Sequence, residues 1–295
     1  MMILITEQQV RERLSMRQAI GLMRDTFAAL RQGKATNQAR RRIVLPTGST
    51  LHSMGGAWGK YFGTKFYSTN PKYGAHFFFF LFDAETAEPL AQFEANWLGQ
   101  IRTGAASGYA TDVLAAPEAA TLGVIGSGFQ AASQIEAVRA VRKIQEVRVW
   151  SRNEEKRNVF AQMTGSRAVA SAQEAVRGAD IVVTATFAGE PVLESAWIKD
   201  GTHINAMGSN RGNRRELPTD LIQRADLIAI DSIEQGKIEA GDLLLAGADW
   251  NDPRIAELAK VTGRPAGNPV TIFKSLGLGV EDVVAAAWVY EQLKR

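Results

Sequence analysis

The sequence predicts an α/β protein of two domains, and three observations support this fold class. The chain has 295 residues, too many for one small core and enough for about two domains. Segments typical of antiparallel strands lie between residues 40 and 95. After residue 121, apolar strands alternate with helical segments, which indicates a parallel sheet with crossover helices.

The predicted first domain combines an antiparallel sheet with a helical cover. Thr6 with Gln9, and Ser15 with Gln18, form capping boxes that mark the starts of two helices. Strand-like segments separated by turns follow at residues 43–45, 61–62, 65–67, 77–82 and, after a hairpin at 83–88, 90–93. Residues 97–114 are rich in Ala, Gly and Thr and lack proline, and they predict a tightly packed helix.

The predicted second domain is built on a parallel sheet. Its apolar strands are expected at residues 121–126, 147–150, 181–184, 204–207 and 227–230. Helical segments separate them, as crossover connections between parallel strands require. The last segment, residues 280–293, is predicted to be an amphipathic helix that returns to the first domain.

Composition excludes several classes of function. The chain has no cysteine, and His52, His76 and His203 lack metal-ligand spacing, so neither a disulfide nor a metal site is expected. A net charge of +3 is too small to indicate a nucleic-acid partner, although it suits anionic ligands. The longest apolar run, residues 77–82, is too short to span a bilayer, and the N-terminus lacks the order of a signal peptide. We therefore expect a cytoplasmic protein without a membrane partner.

A GxGxxA motif at residues 126–131 stands between an apolar strand and a predicted helix. In this context Gly126 permits a tight turn, Gly128 lets the backbone approach a pyrophosphate, and Ala131 allows close helix–strand packing. The motif predicts a Rossmann-type dinucleotide site, the alternative being a glycine-rich loop of another α/β protein. The candidate cofactor-binding residues here are Gly126, Ser127, Gly128, Phe129 and Gln130.

The next predicted strand ends at Ser151, Arg152 and Asn153, where a site for NAD usually places an acid on the ribose hydroxyls. No acid is present, and Arg152 with its neighbours would instead bind the 2′-phosphate of NADPH. NADPH is therefore expected in preference to NADH, unless Arg152 is only a solvated arginine. Further candidates near the carboxyl ends of strands are Thr186, Met207, Ser209 and Asn210.

Lys65 and Arg102 are candidate catalytic residues because both have small or apolar neighbours. Burial would lower the pKa of Lys65 and make it a usable acid or base, whereas on an edge strand it would be a surface lysine. Arg102 lies on the tightly packed helix and needs an anion, which is a bound carboxylate, a cofactor phosphate or a protein acid. The run of arginines at 40–42 is solvated unless one of them binds a substrate carboxylate.

These pieces together resemble the ornithine cyclodeaminase/mu-crystallin family over essentially the whole chain. The motifs occur in one order: GTK (63–65), NP (70–71), IRTGAA (101–106), IGSGFQA (125–131), GTHINAMGSN (201–210), REL (215–217) and IFKSLG (272–277). The resemblance implies a homodimer. It also implies a Rossmann domain at 116–277, inserted into a substrate-binding and dimerisation domain at 1–115 plus 278–295.

The resemblance assigns roles to individual residues. It matches Arg42 and Arg102 to carboxylate binders, Lys65 to the lysine at the reaction centre, and Thr103 and Gln130 to positions near the cofactor. Asn210 stands where cyclodeaminating members carry an Asp. Because an amide takes up no proton, this difference disfavours cyclodeamination.

The resulting expectation is an NADPH-dependent reductase that transfers hydride to the C=N bond of a small cyclic imino acid. Pyrroline-2-carboxylate and piperideine-2-carboxylate are the leading substrates. The alternatives are an alanine or N-alkyl amino acid dehydrogenase, an ornithine or lysine cyclodeaminase, and a crystallin-like protein that binds NADPH without catalysis.

Overall fold

The computed structural model describes residues 2–294, which form two compact units. The first unit is Met1–Ala105 with Gly277–Arg295, and the second is Ala106–Leu276. The expected boundary after residue 115 lies at the end of a helix, whereas the units divide inside that helix. Among the described residues, no helix combines the length and apolar character that crossing a membrane requires.

The helices and the strands are each numbered in the order in which they occur along the chain. The helices are α1 (Glu7–Arg13), α2 (Met16–Arg31), α3 (Asn96–Leu114), α4 (Phe129–Val141), α5 (Glu154–Thr164), α6 (Ala172–Val176), α7 (Thr219–Arg224), α8 (Ile233–Glu239), α9 (Gly241–Leu244) and α10 (Gly279–Lys294). The strands are β1 (Ile3–Ile5), β2 (Ala35–Val44), β3 (Thr50–Trp58), β4 (Tyr61–Asn70), β5 (Gly74–Asp83), β6 (Pro89–Glu94), β7 (Thr121–Ile125), β8 (Glu146–Trp150), β9 (Arg167–Ala168), β10 (Ile181–Thr184), β11 (His203–Ala206), β12 (Leu227–Ile230), β13 (Ile255–Glu257) and β14 (Thr271–Lys274).

The first unit is a six-stranded sheet in the order β1-β6-β5-β4-β3-β2. Its pairs are antiparallel as expected, except that β1 runs parallel to β6. Both capping boxes form, so the predicted starts of α1 and α2 are confirmed. Leu45, predicted to be in a strand, lies in the turn after β2, and its NH bonds the carbonyl of Ser49.

Helix α10 returns to the first unit, but it is not amphipathic. It packs against β2, β3, β4 and α2, so most of its circumference is buried. Its close approach to β3 depends on glycines, which have no side chain at the contact. A Cβ on Gly56 would lie 2.6 Å from the Val280 backbone, and one on Gly279 would lie 2.4 Å from the Gly55 carbonyl. This contact seats the first turn of α10 directly on the sheet.

The second unit is an eight-stranded parallel sheet in the order β13-β12-β14-β11-β10-β7-β8-β9. The expected parallel sheet is therefore confirmed. Sequence patterns missed the short β9 and β13 and also β14, which lies between β11 and β12. Apolar clusters cover both faces of the sheet, as is usual when crossover helices flank parallel strands. The strand order reverses between β7 and β10, the place where such sheets bind ligands.

Candidate functional site

In the first unit, Lys65 is the charged residue around which a buried cluster is built. It lies on β4, an internal strand, and only 2% of it is exposed. The alternative of a surface lysine on an edge strand is therefore wrong. Its Nζ donates to Asp282 Oδ1 at 3.0 Å. Asp282 belongs to the first turn of α10, which the contact with β3 brings to this face of the sheet.

Arg102 shares the same carboxylate. Its Nε donates to Asp282 Oδ1 at 3.2 Å, and one terminal nitrogen donates to Glu281 Oε2 at 2.9 Å. Arg102 and both acids are buried. The anion that Arg102 required is thus supplied by protein acids on α10. Neither acid was singled out from the sequence, since the residues that each one pairs with are about 180 or more positions away in the chain.

We call Arg40, Lys65, Arg102, Glu281 and Asp282 the buried charge cluster. Arg40 is itself buried and donates to the Gly277 carbonyl at 3.3 Å. Burial lowers the pKa of Lys65 to about 8, a shift that Asp282 opposes and that the charges of Arg102 and Arg40 reinforce. Lys65 can therefore gain or lose a proton near neutral pH.

Arg42 lies on the same face of the sheet, in the row of residues next to Lys65. The pairing register places Arg42, His52, Tyr67 and Phe77 side by side across β2 to β5. Arg42 is half-buried, and its Nε donates to His52 Nδ1 at 3.2 Å. The His52 and Tyr67 rings stack with centroids 4.1 Å apart. His52 was not singled out as a functional residue from the sequence, since the residues that it contacts are distant in the chain.

In the second unit, the GxGxxA segment joins β7 to α4 at the point where the strand order reverses. Gly126 has φ of 121°, and a Cβ there would lie 2.4 Å from the Ala185 carbonyl, so the turn requires glycine. Gly128 is the N-cap of α4, supplies no side-chain cap, and faces open space on its Cβ side. Ala131 is buried against the sheet. The first turn of α4 therefore offers its amides outward.

Two polar side chains of this segment, Ser127 and Gln130, are half-buried. Ser127 Oγ donates to Ser151 Oγ at 2.8 Å, which links the glycine turn to the end of β8. Gln130 is half-buried, and its Oε1 is buried with no hydrogen-bond partner among the described residues. Phe129 is 54% exposed.

Residues 151–153, which follow β8, contain the predicted cation Arg152. Arg152 is exposed, while Asn153 caps α5 by accepting from the Lys156 NH at 2.8 Å. Arg157, which was not predicted, donates to the Ser151 carbonyl at 3.1 Å and is buried beneath the segment.

The remaining predicted residues lie in different parts of the chain. Thr103 is buried in the first unit and donates to the Gly99 carbonyl within α3. Thr186, Met207, Ser209 and Asn210 all lie in the second unit, after the carboxyl ends of β10 and β11. The NH and hydroxyl of Thr186 both bond to Glu216, which is buried. Glu216 was part of a recognised motif, but its role was not predicted.

Comparison with known proteins shows the family of the chain. A model of the ornithine cyclodeaminase/mu-crystallin family matches residues 1–295. The chain belongs to this family. The ketimine reductase mu-crystallin of Mus musculus is 41% identical over 216 residues, which are 72% of this chain and 67% of that protein.

Two solved structures extend the similarity to the whole fold. One is Delta(1)-pyrroline-2-carboxylate reductase of Thermococcus litoralis in complex with NADH and L-proline, with a TM-score of 0.93, 31% identity and coverage of 99% of this chain and 98% of that one. The other is an archaeal alanine dehydrogenase dimer with bound NAD, with a TM-score of 0.93, 30% identity and coverage of 99% and 96%.

The fit of Lys65 against α3 gives a stability prediction. A Cβ on Gly99 would lie 2.6 Å from Lys65 Nζ, whereas one on Gly21, in α2, would meet nothing within 4 Å. We expect Gly99→Ala to lower the free energy of unfolding by about 1–3 kcal/mol, because it pushes the ammonium from Asp282. The matched control Gly21→Ala should raise it by about 0.5–1 kcal/mol through helix propensity alone. Urea unfolding measures both, and stabilisation by Gly99→Ala would show that Lys65 is not held tightly.

Proposed function

We propose that this protein is an NADPH-dependent reductase of small cyclic imino acids such as pyrroline-2-carboxylate and piperideine-2-carboxylate. The observation that carries the proposal is the buried charge cluster. With its groups ionised it holds three cations and two carboxylates, so it has an excess positive charge in a low-dielectric setting. A buried excess charge is stabilised by an anionic ligand, and the carboxylate of an imino acid is such a ligand.

The residues of the first unit have separate tasks in this proposal. Arg42 and Arg102 hold the substrate carboxylate. Asp282 and Glu281 fix the guanidinium of Arg102, and a planar group held in place binds a carboxylate with less loss of entropy. Lys65 keeps the imine nitrogen protonated, because an iminium carbon accepts hydride more readily than a neutral imine does. The proton remains on nitrogen, and the product is a cyclic amino acid.

The second unit fits a dinucleotide. Gly128 leaves a cradle that a side chain would fill, and the first turn of α4, which has no side-chain cap, suits a pyrophosphate. Gln130 Oε1 is a buried acceptor with no hydrogen-bond partner in the part of the chain that the structure describes. When bound, a reduced nicotinamide supplies hydride to the C=N carbon. The residues that would hold the coenzyme are Gly126, Ser127, Gly128, Phe129, Gln130, Ser151, Arg152 and Asn153, with Thr103, Thr186, Met207 and Ser209 as further contacts. Asn210 orients substrate or nicotinamide through its amide.

A substrate panel tests the proposal. NADPH oxidation should be fast with pyrroline-2-carboxylate or piperideine-2-carboxylate, and at least about 100-fold slower with pyruvate plus ammonia, because an open-chain imine must first form. Faster turnover with pyruvate plus ammonia would indicate an alanine dehydrogenase, and ornithine-dependent ammonia release would indicate a cyclodeaminase.

Replacing Lys65 with Met should lower kcat at least about 100-fold while leaving NADPH affinity unchanged.

The same assay across pH examines the proton on Lys65. The pKa of Lys65 is lowered to about 8, so the ammonium is present below that pH and is lost as pH rises through it. We therefore expect kcat to decline above about pH 8. Asp282 raises the pKa of Lys65, so Asp282→Asn should move this decline to lower pH. A decline at the same pH in both proteins would remove Lys65 as its source.

The preference for NADPH rests on Arg152, which is exposed after the end of β8, between Ser151 and Asn153. Removing one arginine–phosphate contact typically costs a charge-assisted hydrogen bond. Arg152→Ala should weaken NADPH binding about tenfold and leave NADH binding within about twofold. Lys156→Ala, an exposed cation one turn further into α5, is the control. Equal loss of both coenzymes on Arg152→Ala would contradict a role in 2′-phosphate recognition.

We further propose that the protein is a homodimer that joins two copies through the outer face of the six-stranded sheet. Ile43, Leu51, Phe66 and Phe78 are all exposed on that face, and Phe66 pairs directly with Phe78 in the register of β4 and β5. Ile43 likewise pairs with Leu51, and exposed apolar pairs on one sheet face favour an interface there. The similar archaeal alanine dehydrogenase is a dimer.

The dimer prediction concerns mass in solution. Phe78→Lys should convert the dimer to monomer in light scattering after gel filtration, because a charge would be buried at the interface. Met163→Lys is the control, since Met163 is 79% exposed on α5 of the second unit. A dimer that survives Phe66→Lys and Phe78→Lys would place the interface elsewhere.

A further inference from the structure

Glu216 is a buried carboxylate at the ligand-facing edge of the second unit, yet it belongs to none of the groups assigned above. Its side chain accepts four hydrogen bonds from the last residue of β10 and from the segments that follow β10 and β11. One oxygen, Oε1, accepts from the NH and the hydroxyl of Thr186, each at 2.7 Å. The other, Oε2, accepts from the Thr184 hydroxyl at 2.9 Å and from the Gly208 NH at 2.7 Å. One side chain thus ties together the ends of two adjacent parallel strands.

A second carboxylate holds Glu216 in turn. Asp242 Oδ1 accepts from the backbone NH groups of Glu216 and Leu217, at 2.6 and 2.9 Å. Lys274, at the end of β14, lies 2.7 Å from the other Asp242 oxygen and donates to the Ser209 carbonyl at 2.6 Å. Glu216, Asp242 and Lys274 are each at most 1% exposed. Charge-assisted hydrogen bonds therefore join the carboxyl ends of β10, β11 and β14.

The segments that Glu216 joins are loops of mixed exposure, in which Ser209 is buried and Thr186 and Gly208 are half-buried. The first contains Phe187, which is 70% exposed, and the Arg214 guanidinium lies 4.2 Å from its ring. Backbone hydrogen bonding adds only a few further links, such as the Val192 NH to the Glu216 carbonyl. Loops of this kind owe their position to the few groups that tie them down. Both loops bond to the Glu216 carboxylate. Arg214 also links them, because its guanidinium donates to the Phe187 carbonyl at 2.8 Å and its own carbonyl accepts from the Ser209 hydroxyl at 3.3 Å.

We infer that Glu216 is a positioning residue for coenzyme binding, acting through the Thr186 and Gly208–Ser209 segments rather than by touching the coenzyme. The inference rests on the proposed function, since it assumes that the carboxyl edge of this sheet holds a dinucleotide. Loops fixed before the ligand arrives lose less entropy on binding. Affinity for the coenzyme therefore depends on the bonds of Glu216, although its carboxylate is already occupied by four donors of the protein.

The bonding pattern requires a carboxylate and rejects an amide. Each oxygen of Glu216 faces one backbone NH, from Thr186 or from Gly208, and a backbone NH only donates. In Glu216→Gln, either orientation of the amide sets its NH₂ against one of these NH groups. Two donors then oppose each other in a buried place, and one loop must move. The substitution changes almost no volume, so it tests hydrogen bonding without creating a cavity.

The experiment compares Glu216→Gln with Thr184→Val, which deletes one donor to Glu216, and with the control Thr202→Val. Thr202 is also fully buried and donates to the Ala179 carbonyl at 3.0 Å, but it stands at the opposite, amino end of β11. For each protein, calorimetry measures the Kd for NADPH, and urea unfolding measures the stability of the coenzyme-free chain. Steady-state assays with pyrroline-2-carboxylate separate kcat from the KM for NADPH.

We expect Glu216→Gln to raise the Kd and KM for NADPH about tenfold, and Thr184→Val to raise them about threefold. Thr202→Val should lower stability and leave the Kd within about twofold. If Glu216→Gln does not fold, Thr184→Val against Thr202→Val decides the matter. A wild-type Kd in the Glu216 and Thr184 variants, or an equal rise in the Thr202 variant, would overturn the inference while the proposed function stands. A wild-type protein that binds no NADPH would overturn both.

Discussion

The first unit depends on one carboxylate that two cations share. Asp282 Oδ1 accepts from Lys65 and from Arg102, which belong to a strand and a helix far away in the sequence. Burying charges costs several kcal/mol per ion, and only close pairing with good geometry offsets that cost. Removal of Asp282 would leave two buried cations facing each other. The sheet, α3 and the returning α10 are thus coupled through this oxygen.

That coupling explains why α10 approaches the sheet so closely. Side chains at Gly56 or Gly279 would push the helix away, and the first turn that carries Asp282 would move with it. Small residues at a contact ordinarily serve only to let two elements pack closely. Here they also set the distance between opposite charges, so a change in packing becomes a change in electrostatics. The pKa of Lys65 is consequently a property of the whole unit rather than of β4.

The second unit uses buried carboxylates in a related way. Glu216 and Asp242 hold backbone NH groups and a lysine at the carboxyl edge of the parallel sheet. A well-packed apolar core is often as stable as a buried ion pair. The ionic arrangement adds direction, since the four donors to Glu216 have defined positions in two loops. In both units, therefore, buried charged groups fix the positions of neighbouring residues at the places where ligands are expected to bind.

The sequence by itself determined the features whose signals are local. The capping boxes of α1 and α2, the glycine turn before α4, and the alternation of parallel strands were all predicted and are observed. Lys65 and Arg102 were also singled out, because apolar neighbours around a charge are visible in the sequence. These features depend on residues a few positions apart, which is the range over which periodicity and capping act.

Only the tertiary structure decided which charges pair. Lys65 and Asp282 are 217 residues apart, and Glu216 meets its donors across three segments of chain. No period or spacing relates such residues, because their contact depends on strand order and on where a helix returns. The same reason accounts for the unpredicted place of β14 in the middle of its sheet. Long-range pairing of charges is set by topology, and topology is a property of the folded chain.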